Sequence, residues 1–332
     1  MDFKKKVMKF NIGIIGYGAV GKKRAQNLGK GNLLAIYDHN KSQVEKKYLK
    51  LYRSVGEIFN DKRINLVIIA TTHKYLADLT IRAIKSGKNV LVEKPGGINF
   101  KELLKIKFYS LKYKKFVKIG YNHRYHPSIK KAENILKKGN IGKILYIRGN
   151  YGHGGRLGYE KEWRFSKKLS GGGELIDQGV HLIDLSSLFI GKFDKIQHNL
   201  KNYFWKSNVE DNCFLILENK KKQVAFLQAS CTEWKNKFNF EIYCQYGKLE
   251  ISGLGRSYGI EKILFYKMKK KMGIPTLKSW VFNEKKDFSW NREISDFYKI
   301  ILNKNFNLNQ KKLSENIENM KILSKIYNRT GI

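Results

Sequence analysis

Apolar positions in the first third of the chain fall in short unbroken runs: FNIGIIG (10–16), NLLAIYD (32–38), INLVIIAT (64–71), KNVLVEKP (88–95) and FVKIGYN (116–122). Helix-like stretches separate them, one from Val20 to about Leu28, another beyond Asp38, a third from Tyr75 to Ser86 ending at Gly87, and a fourth before Phe116. Runs this uniform are strands apolar on both faces, and their alternation with helices predicts a doubly wound parallel sheet. After about Tyr125 the rhythm changes. A helix from Ser128 to Lys138 leads to a strand at KILYIRGNYG, then the loop GHGGRLGYEKEW and the helix-like SGGGELIDQGVHLIDL. Strand-like runs follow at DNCFLILEN, KQVAFLQASC, FNFEIYCQY and GKLEISG, so closely spaced that hairpins are expected and the second sheet should be largely antiparallel. Two amphipathic helices, about Arg292 to Leu302 and Leu313 to Tyr327, finish the chain. The expected organisation is α/β: residues 1–124 as a doubly wound domain and 125–332 as an α+β domain.

Composition changes this picture little. The 66 Lys and Arg against 28 Asp and Glu leave +38. The lysines are dispersed along the chain, as in Lys4 to Lys6, Lys220 to Lys222 and Lys269 to Lys271, without a basic block interleaved with aromatics. A drifted surface, or attraction for small anions, fits better than a nucleic-acid interface. Cys213, Cys231 and Cys244 lack CxxC spacing and read as free thiols of a reducing cytoplasm. The charged-then-apolar start MDFKKKVMKFNIGIIG superficially resembles a signal peptide, but its glycines and the following Lys22, Lys23 and Arg24 favour a strand. Nothing approaches the ~18–20 apolar residues of a membrane span.

The first candidate chemistry is IGIIGYGAVG, Ile12 to Gly21, a GxGxxG between a strand and a helix. Gly16 permits the tight turn, Gly18 the approach of a pyrophosphate, and Gly21 close helix packing. The helix start faces the phosphate charge. Asp38, ending the next strand, would accept from ribose hydroxyls and favour NAD over NADP, a preference that nearby Lys22 and Lys23 weaken. The expected cofactor contacts here are Gly16, Tyr17, Gly18, Ala19, Val20, Gly21, Asp38 and His39. The alternative is a turn that merely needs glycines.

Glu93-Lys94-Pro95 follows at another strand end. By itself the lysine fits a solvated strand end as well as a ligand crevice. Together with GYGAVG, the TT of ATTHKYL, GYNHRYHPSIKKA, EWRF and GGGELIDQGVHLIDL, it resembles the signature of the Gfo/Idh/MocA oxidoreductases, whose dinucleotide-binding domain is a Rossmann fold. The resemblance implies a catalytic group of Lys94, Asp177 and His181. It further implies that Thr71, Thr72, Glu93, Asn122, Trp163 and Arg164 lie near the cofactor. Many relatives carry a histidine where this chain has Leu76; His73 is a local substitute. A helical wheel through residues 170–190 puts Asp177, His181 and Asp184 opposite an apolar sector, with Asp184 solvated or in a supporting role. A metal site on those three is a competing reading.

The implied reaction is hydride transfer between nicotinamide and a carbinol carbon of a sugar, inositol or nucleotide-linked sugar, with His181 as acid and base. Asp177 orients the imidazole, and Lys94 stabilises alkoxide charge. Substrate contacts are expected from Arg124, His126, His153, Arg156 and Tyr159, although the loop carrying the last three also reads as a plain surface turn. The GHGGR and EWRF elaborations resemble a branch associated with surface-polysaccharide synthesis. Two other readings remain open: glycoside cleavage through transient oxidation by NAD, and a non-catalytic NAD-binding regulator. The resemblance also implies a homodimer or homotetramer.

Overall fold

The computed structural model describes residues 9–44 and 52–330. Lys4 to Lys6, and part of the helix expected beyond Asp38, lie outside the described residues. The chain forms two compact units. The first comprises residues up to Gly97, Lys101–Gly120 and Trp290–Ile317; the second comprises Ile98–Phe100, Tyr121–Ser289 and the residues from Glu318 onward.

In the first unit the strands β1 (Asn11–Ile15), β2 (Asn32–Tyr37), β3 (Leu66–Ile69), β4 (Asn89–Glu93) and β5 (Val117–Gly120) build a parallel sheet of order β2-β1-β3-β4-β5. Its helices are α1 (Ala19–Ala25), α2 (Val55–Asn60), α3 (His73–Lys85) and α4 (Phe100–Tyr113). Every residue of β3 and β4 is buried, as their unbroken apolar runs require. The single division expected after residue 124 is corrected in two ways. The chain leaves this unit at Gly120, and it returns with Trp290–Ile317. The return is driven by the apolar stripe of α8 (Ser289–Leu302), whose Ile294, Phe297, Tyr298 and Ile301 join Phe10, Ile12, Ile14 and Leu91 in one core. Phe10 and Tyr298 stack with centroids 4.0 Å apart, and the Tyr298 hydroxyl donates to the Leu28 carbonyl.

The second unit contains an eight-stranded sheet of β6 (Ile144–Gly152), β7 (Lys195–Lys201), β8 (Asn212–Glu218), β9 (Val224–Ser230), β10 (Lys237–Cys244), β11 (Gly247–Ser252), β12 (Glu261–Lys267) and β13 (Thr276–Phe282). The order is β13-β12-β11-β10-β6-β9-β8-β7. Neighbours pair antiparallel except β6 and β9, which are parallel. Strands β7, β12 and β13 have no counterpart among the expected runs. Two of them, β7 and β13, are sheet edges that keep lysines and few buried positions. Helices α5 (Pro127–Lys137), α6 (Lys167–Ser170) and α7 (Val180–Ile190) belong to this unit, and α7 packs on β6 and β9. The last helix, α9 (Phe306–Thr330), runs through the division between the units.

Candidate active site

At the end of β1 the chain turns through Gly16, whose φ of +88° and proximity to the Ala70 carbonyl exclude a side chain. Gly21 is pressed against the Gly16 carbonyl, so a Cβ there would collide with backbone. Gly18 differs: a Cβ placed on it would meet nothing within 4 Å. No packing inside the protein explains that glycine, whereas a ligand brought close to the backbone would. Gly18 is also the N-cap of α1, and no side chain caps its first turn. The amides of Ala19 and Val20 therefore present unspent donors at the positive end of a helix.

Asp38 is fixed beside this turn. The Tyr17 amide donates to its Oδ2 at 2.5 Å and the Asn40 amide to its Oδ1 at 2.8 Å. Each carboxylate oxygen keeps a lone pair for a ribose hydroxyl, while its negative charge opposes a 2′-phosphate. Tyr17 is buried and its amide is spent on Asp38, so it shapes the turn instead of reaching outward. His39 lies exposed, 3.3 Å from Asp38. At the start of α3 the Thr72 hydroxyl is buried with no hydrogen-bond partner among the described residues, and the Thr71 hydroxyl donates to the Thr72 carbonyl. An orphaned hydroxyl at this edge of the sheet suits the polar groups of a bound dinucleotide. His73 is buried at the first position of α3, and Leu76 is core.

Lys94 follows β4 and is half-buried. Its neighbour Glu93, expected near the cofactor, is engaged within the first unit. Its carboxylate accepts from Arg24 Nε at 2.5 Å, and Arg24 Nη1 donates to Glu293 at 2.7 Å. The guanidinium lies 4.4 Å from the Trp290 ring centroid and is 1% exposed. Burial alone would lower its pKa, but the two carboxylates hold it above the ordinary value. Glu93 thereby ties β4, at the residue before Lys94, to α1 and α8.

In the second unit, Gly173 of the triple glycine abuts the Glu210 carbonyl so closely that any side chain would clash. The following residues do not form the regular helix that the wheel assumed. Leu175–Gly179 is a π-helical turn that leads into α7, a distortion often found at functional sites. Both faces of this segment are buried, including Asp177, His181 and Asp184. Of the two roles expected for Asp184, solvated or supporting, burial removes the solvated one: it is 1% exposed and receives Arg124 through two bonds of 2.7 Å, with Asn319 donating at 3.2 Å. A metal on Asp177, His181 and Asp184 is disfavoured, because Arg124 holds Asp184 while Arg164 Nε donates to Asp177 at 3.0 Å.

Of the five substrate candidates, three are engaged inside the protein. Arg124 is bound to Asp184, His126 Nδ1 lies 3.0 Å from Glu261, and Tyr159 is buried edge-on to Phe165 and Trp205. His153 Nδ1 accepts from the Gly155 amide at 3.0 Å, and its Nε2 lies 3.7 Å from Glu174. Burial lowers the pKa of this imidazole, Asp177 working against the shift. Arg156 is exposed and paired with Glu162, which also receives Arg164 at 3.3 Å. Arg156, Glu162, Arg164 and Asp177 thus form a chain of alternating charge from the glycine-rich loop to the π-turn. Trp163 lies under the Arg164 guanidinium, with 4.8 Å to its ring centroid, and Asn122 is buried and donates to Ser289 at 2.9 Å.

Sequence reasoning missed His123. Its ring stacks on His181 with centroids 3.8 Å apart and planes within 21°. Its signal was its place in GYNHRYH, between two residues that were singled out.

Residues 10–121 match the model of an oxidoreductase family with an NAD-binding Rossmann fold, and residues 129–250 match the GFO/IDH/MocA C-terminal domain. The chain belongs to the Gfo/Idh/MocA oxidoreductases. It is 31% identical to levoglucosan dehydrogenase of Pseudarthrobacter phenanthrenivorans over 149 residues, 44% of this chain and 38% of that protein. It is 28% identical to inositol 2-dehydrogenase of Salmonella paratyphi B over 155 residues, 43% of this chain and 46% of that protein. Each match spans less than half of the relative's length. A solved structure of levoglucosan dehydrogenase in complex with NADH and L-sorbose shares the fold, with a TM-score of 0.82 over 96% of this chain and 97% of that one at 18% identity.

Proposed function

We propose that this protein is an NAD-dependent dehydrogenase or reductase that interconverts a carbinol and a carbonyl on a sugar or polyol. The observation that carries the reading is His181, buried in the first turn of α7 just after the π-turn that carries Asp177, in a chain whose first unit holds an open glycine cradle beside a fixed Asp38. In the oxidation direction the alcohol loses its O–H proton to the neutral imidazole of His181 as the carbonyl forms, and the imidazolium later returns that proton to solvent. NAD, when bound, takes the electron pair and hydrogen of the C–H bond as hydride. Lys94 offers a cation to the substrate oxygen as it becomes alkoxide-like. Asp177, itself held by Arg164, orients the acid-base group. Arg156 is the substrate candidate that stays exposed, and it suits a phosphate or carboxylate; both ring nitrogens of His153 have partners in the protein. A nucleotide-linked sugar of surface-polysaccharide synthesis is the narrower substrate reading, and it draws on Arg156.

The test is NADH formation across a panel of sugars, polyols and nucleotide sugars with wild type and His181→Ala. Loss of turnover by roughly 10²–10⁴-fold with NAD binding intact supports the assignment. Retained turnover removes His181 from the chemistry. Sugar release from an aryl glycoside without NADH accumulation would replace this reading by glycoside cleavage, and tight NAD binding without any turnover would replace it by a regulator.

We also infer a homodimer or homotetramer. Tyr146, Ile216, Phe226 and Leu277 are exposed on one face of the large sheet, a surface suited to a second copy. The three buried free thiols suit a reducing cytoplasm. No helix among the described residues is long and apolar enough to cross a membrane.

A further inference from the structure

We propose that His123 is a positioning residue for His181, stacked face to face on the acid-base imidazole so that it fixes that ring's plane and the two rings hold a single proton between them. The proposal rests on the reading of His181 as the proton acceptor. Its basis is local geometry within one unit. His123 sits in the 3-10 turn Asn122–Tyr125, packed on α7, and both imidazoles are buried. Their centroids are 3.8 Å apart and their planes 21° from parallel. Other rings enclose the stack edge-on: Tyr121 and Tyr151 against His181, at 5.9 and 6.0 Å, and His126, Tyr151 and Phe238 against His123, at 5.7, 5.2 and 6.1 Å. A ring held on its face by one neighbour and at its edge by others loses the freedom to rotate about χ2. A proton acceptor needs that loss, because its lone pair must point at one oxygen.

The charge argument follows from the same distance. Two imidazolium ions at 3.8 Å, at the effective dielectric of buried sites, repel strongly enough to depress uptake of the second proton by roughly three pH units. From β6, Tyr151 is kept neutral, burial raising its pKa well above the ordinary value; Tyr121 is kept neutral in the same way, and Tyr258 beyond Tyr151 is pushed up to about 12. His126 is bonded to Glu261, with Asp287 at 4.0 Å from its other nitrogen. Arg124 and Asp184 neutralise each other. On the π-turn Asp177 is paired with Arg164, and Glu174 lies 3.7 Å from His153. At a ring separation of 3.8 Å the pair titrates as a coupled unit.

The experiment compares wild type with His123→Phe and His123→Ala, by NMR titration of the His181 ring in the full-length protein and by the pH dependence of kcat/KM for alcohol oxidation. Phenylalanine keeps the stack, removes the second proton site and offers its π face to an imidazolium. The His181 titration should collapse to a single step displaced upward by about half to one and a half pH units, and the acidic limb of kcat/KM should move up with it. Alanine removes the stack, so its plateau kcat should fall at least tenfold while NAD affinity stays within twofold. Superimposable His181 titrations in wild type and His123→Phe would overturn the shared proton, and an unchanged plateau in His123→Ala would overturn the positioning. If the alanine variant fails to fold, the same decision rests on His123→Gln. The NMR titration does not depend on catalysis, so it separates failure of the coupling from failure of His181 as the base, which His181→Ala turnover reports.

Discussion

Replacing Arg24 by methionine would test how the residue before Lys94 is held. The substitution keeps an unbranched apolar stem against Trp290 but removes the cation between Glu93 and Glu293, which lie 2.5 and 2.7 Å from the guanidinium nitrogens. All three charges are buried, so water cannot compensate the two carboxylates left behind. Breaking a buried ion pair by removing one partner costs about 3–5 kcal/mol. At ~2–4 °C per kcal/mol for a unit of this size, the melting transition of the first unit should fall by roughly 6–20 °C. The effect should depend on pH with a definite sign. Burial already holds the Glu293 carboxyl above its ordinary pKa, with Arg24 opposing that shift, so the variant raises it further. A carboxyl whose folded pKa lies above its unfolded value binds more protons in the folded state, and the stability it contributes at low pH is lost as pH rises through the folded pKa. The variant should therefore lose less at about pH 5 than at about pH 7.5, relative to wild type at each pH. Adding Glu293→Gln should recover part of the loss at neutral pH. Scanning calorimetry on the three proteins at both pH values decides it. A drop that is small and independent of pH would refute the account of an uncompensated buried charge.

Gly18→Ala should leave the melting temperature within about 2 °C of wild type, since the added methyl meets nothing, while NAD binding weakens by about tenfold or more in calorimetric titration. An equal loss of stability would mean that packing, not a ligand, requires that glycine. Asp184→Asn should destabilise the second unit, because Arg124 keeps its charge without its carboxylate, and the protein that remains folded should keep kcat within a few fold. A loss as deep as that of His181→Ala would move Asp184 into the chemistry. Burial raises all three thiol pKa values, that of Cys244 to about 12, so iodoacetamide at about pH 8 should leave each unmodified in the folded protein and label all three after denaturation, as read by mass spectrometry.

Legibility in the sequence followed the range of the interactions involved. The glycine turn, Asp38 and the strand carrying Glu93 and Lys94 were readable because each is a local pattern: a turn needs positive φ, a buried strand needs an apolar run, and a helix start needs open amides. The edge strands β7 and β13 were not, because an edge strand carries lysines and buries no position fully, and the interior strand β12, whose run EKILFYK is flanked by lysines, was passed over with them. The helical wheel failed at the triple glycine because it assumed a regular repeat and one wet face, where the chain has a π-turn buried on both faces.

From the sequence alone came the class of fold and the glycine turn, since propensity, period and motif are properties of neighbouring residues, and the catalytic candidates came with the family resemblance. The tertiary structure decided which charges are already spent. Arg124 on Asp184, His126 on Glu261 and Glu93 on Arg24 are partners 60, 135 and 69 residues apart, pairings that no local pattern encodes. The same packing placed His123 on His181, 58 residues further along the chain by their numbering. Charge pairing and ring stacking act over a few ångströms in space, and the fold alone fixes which residues come that close.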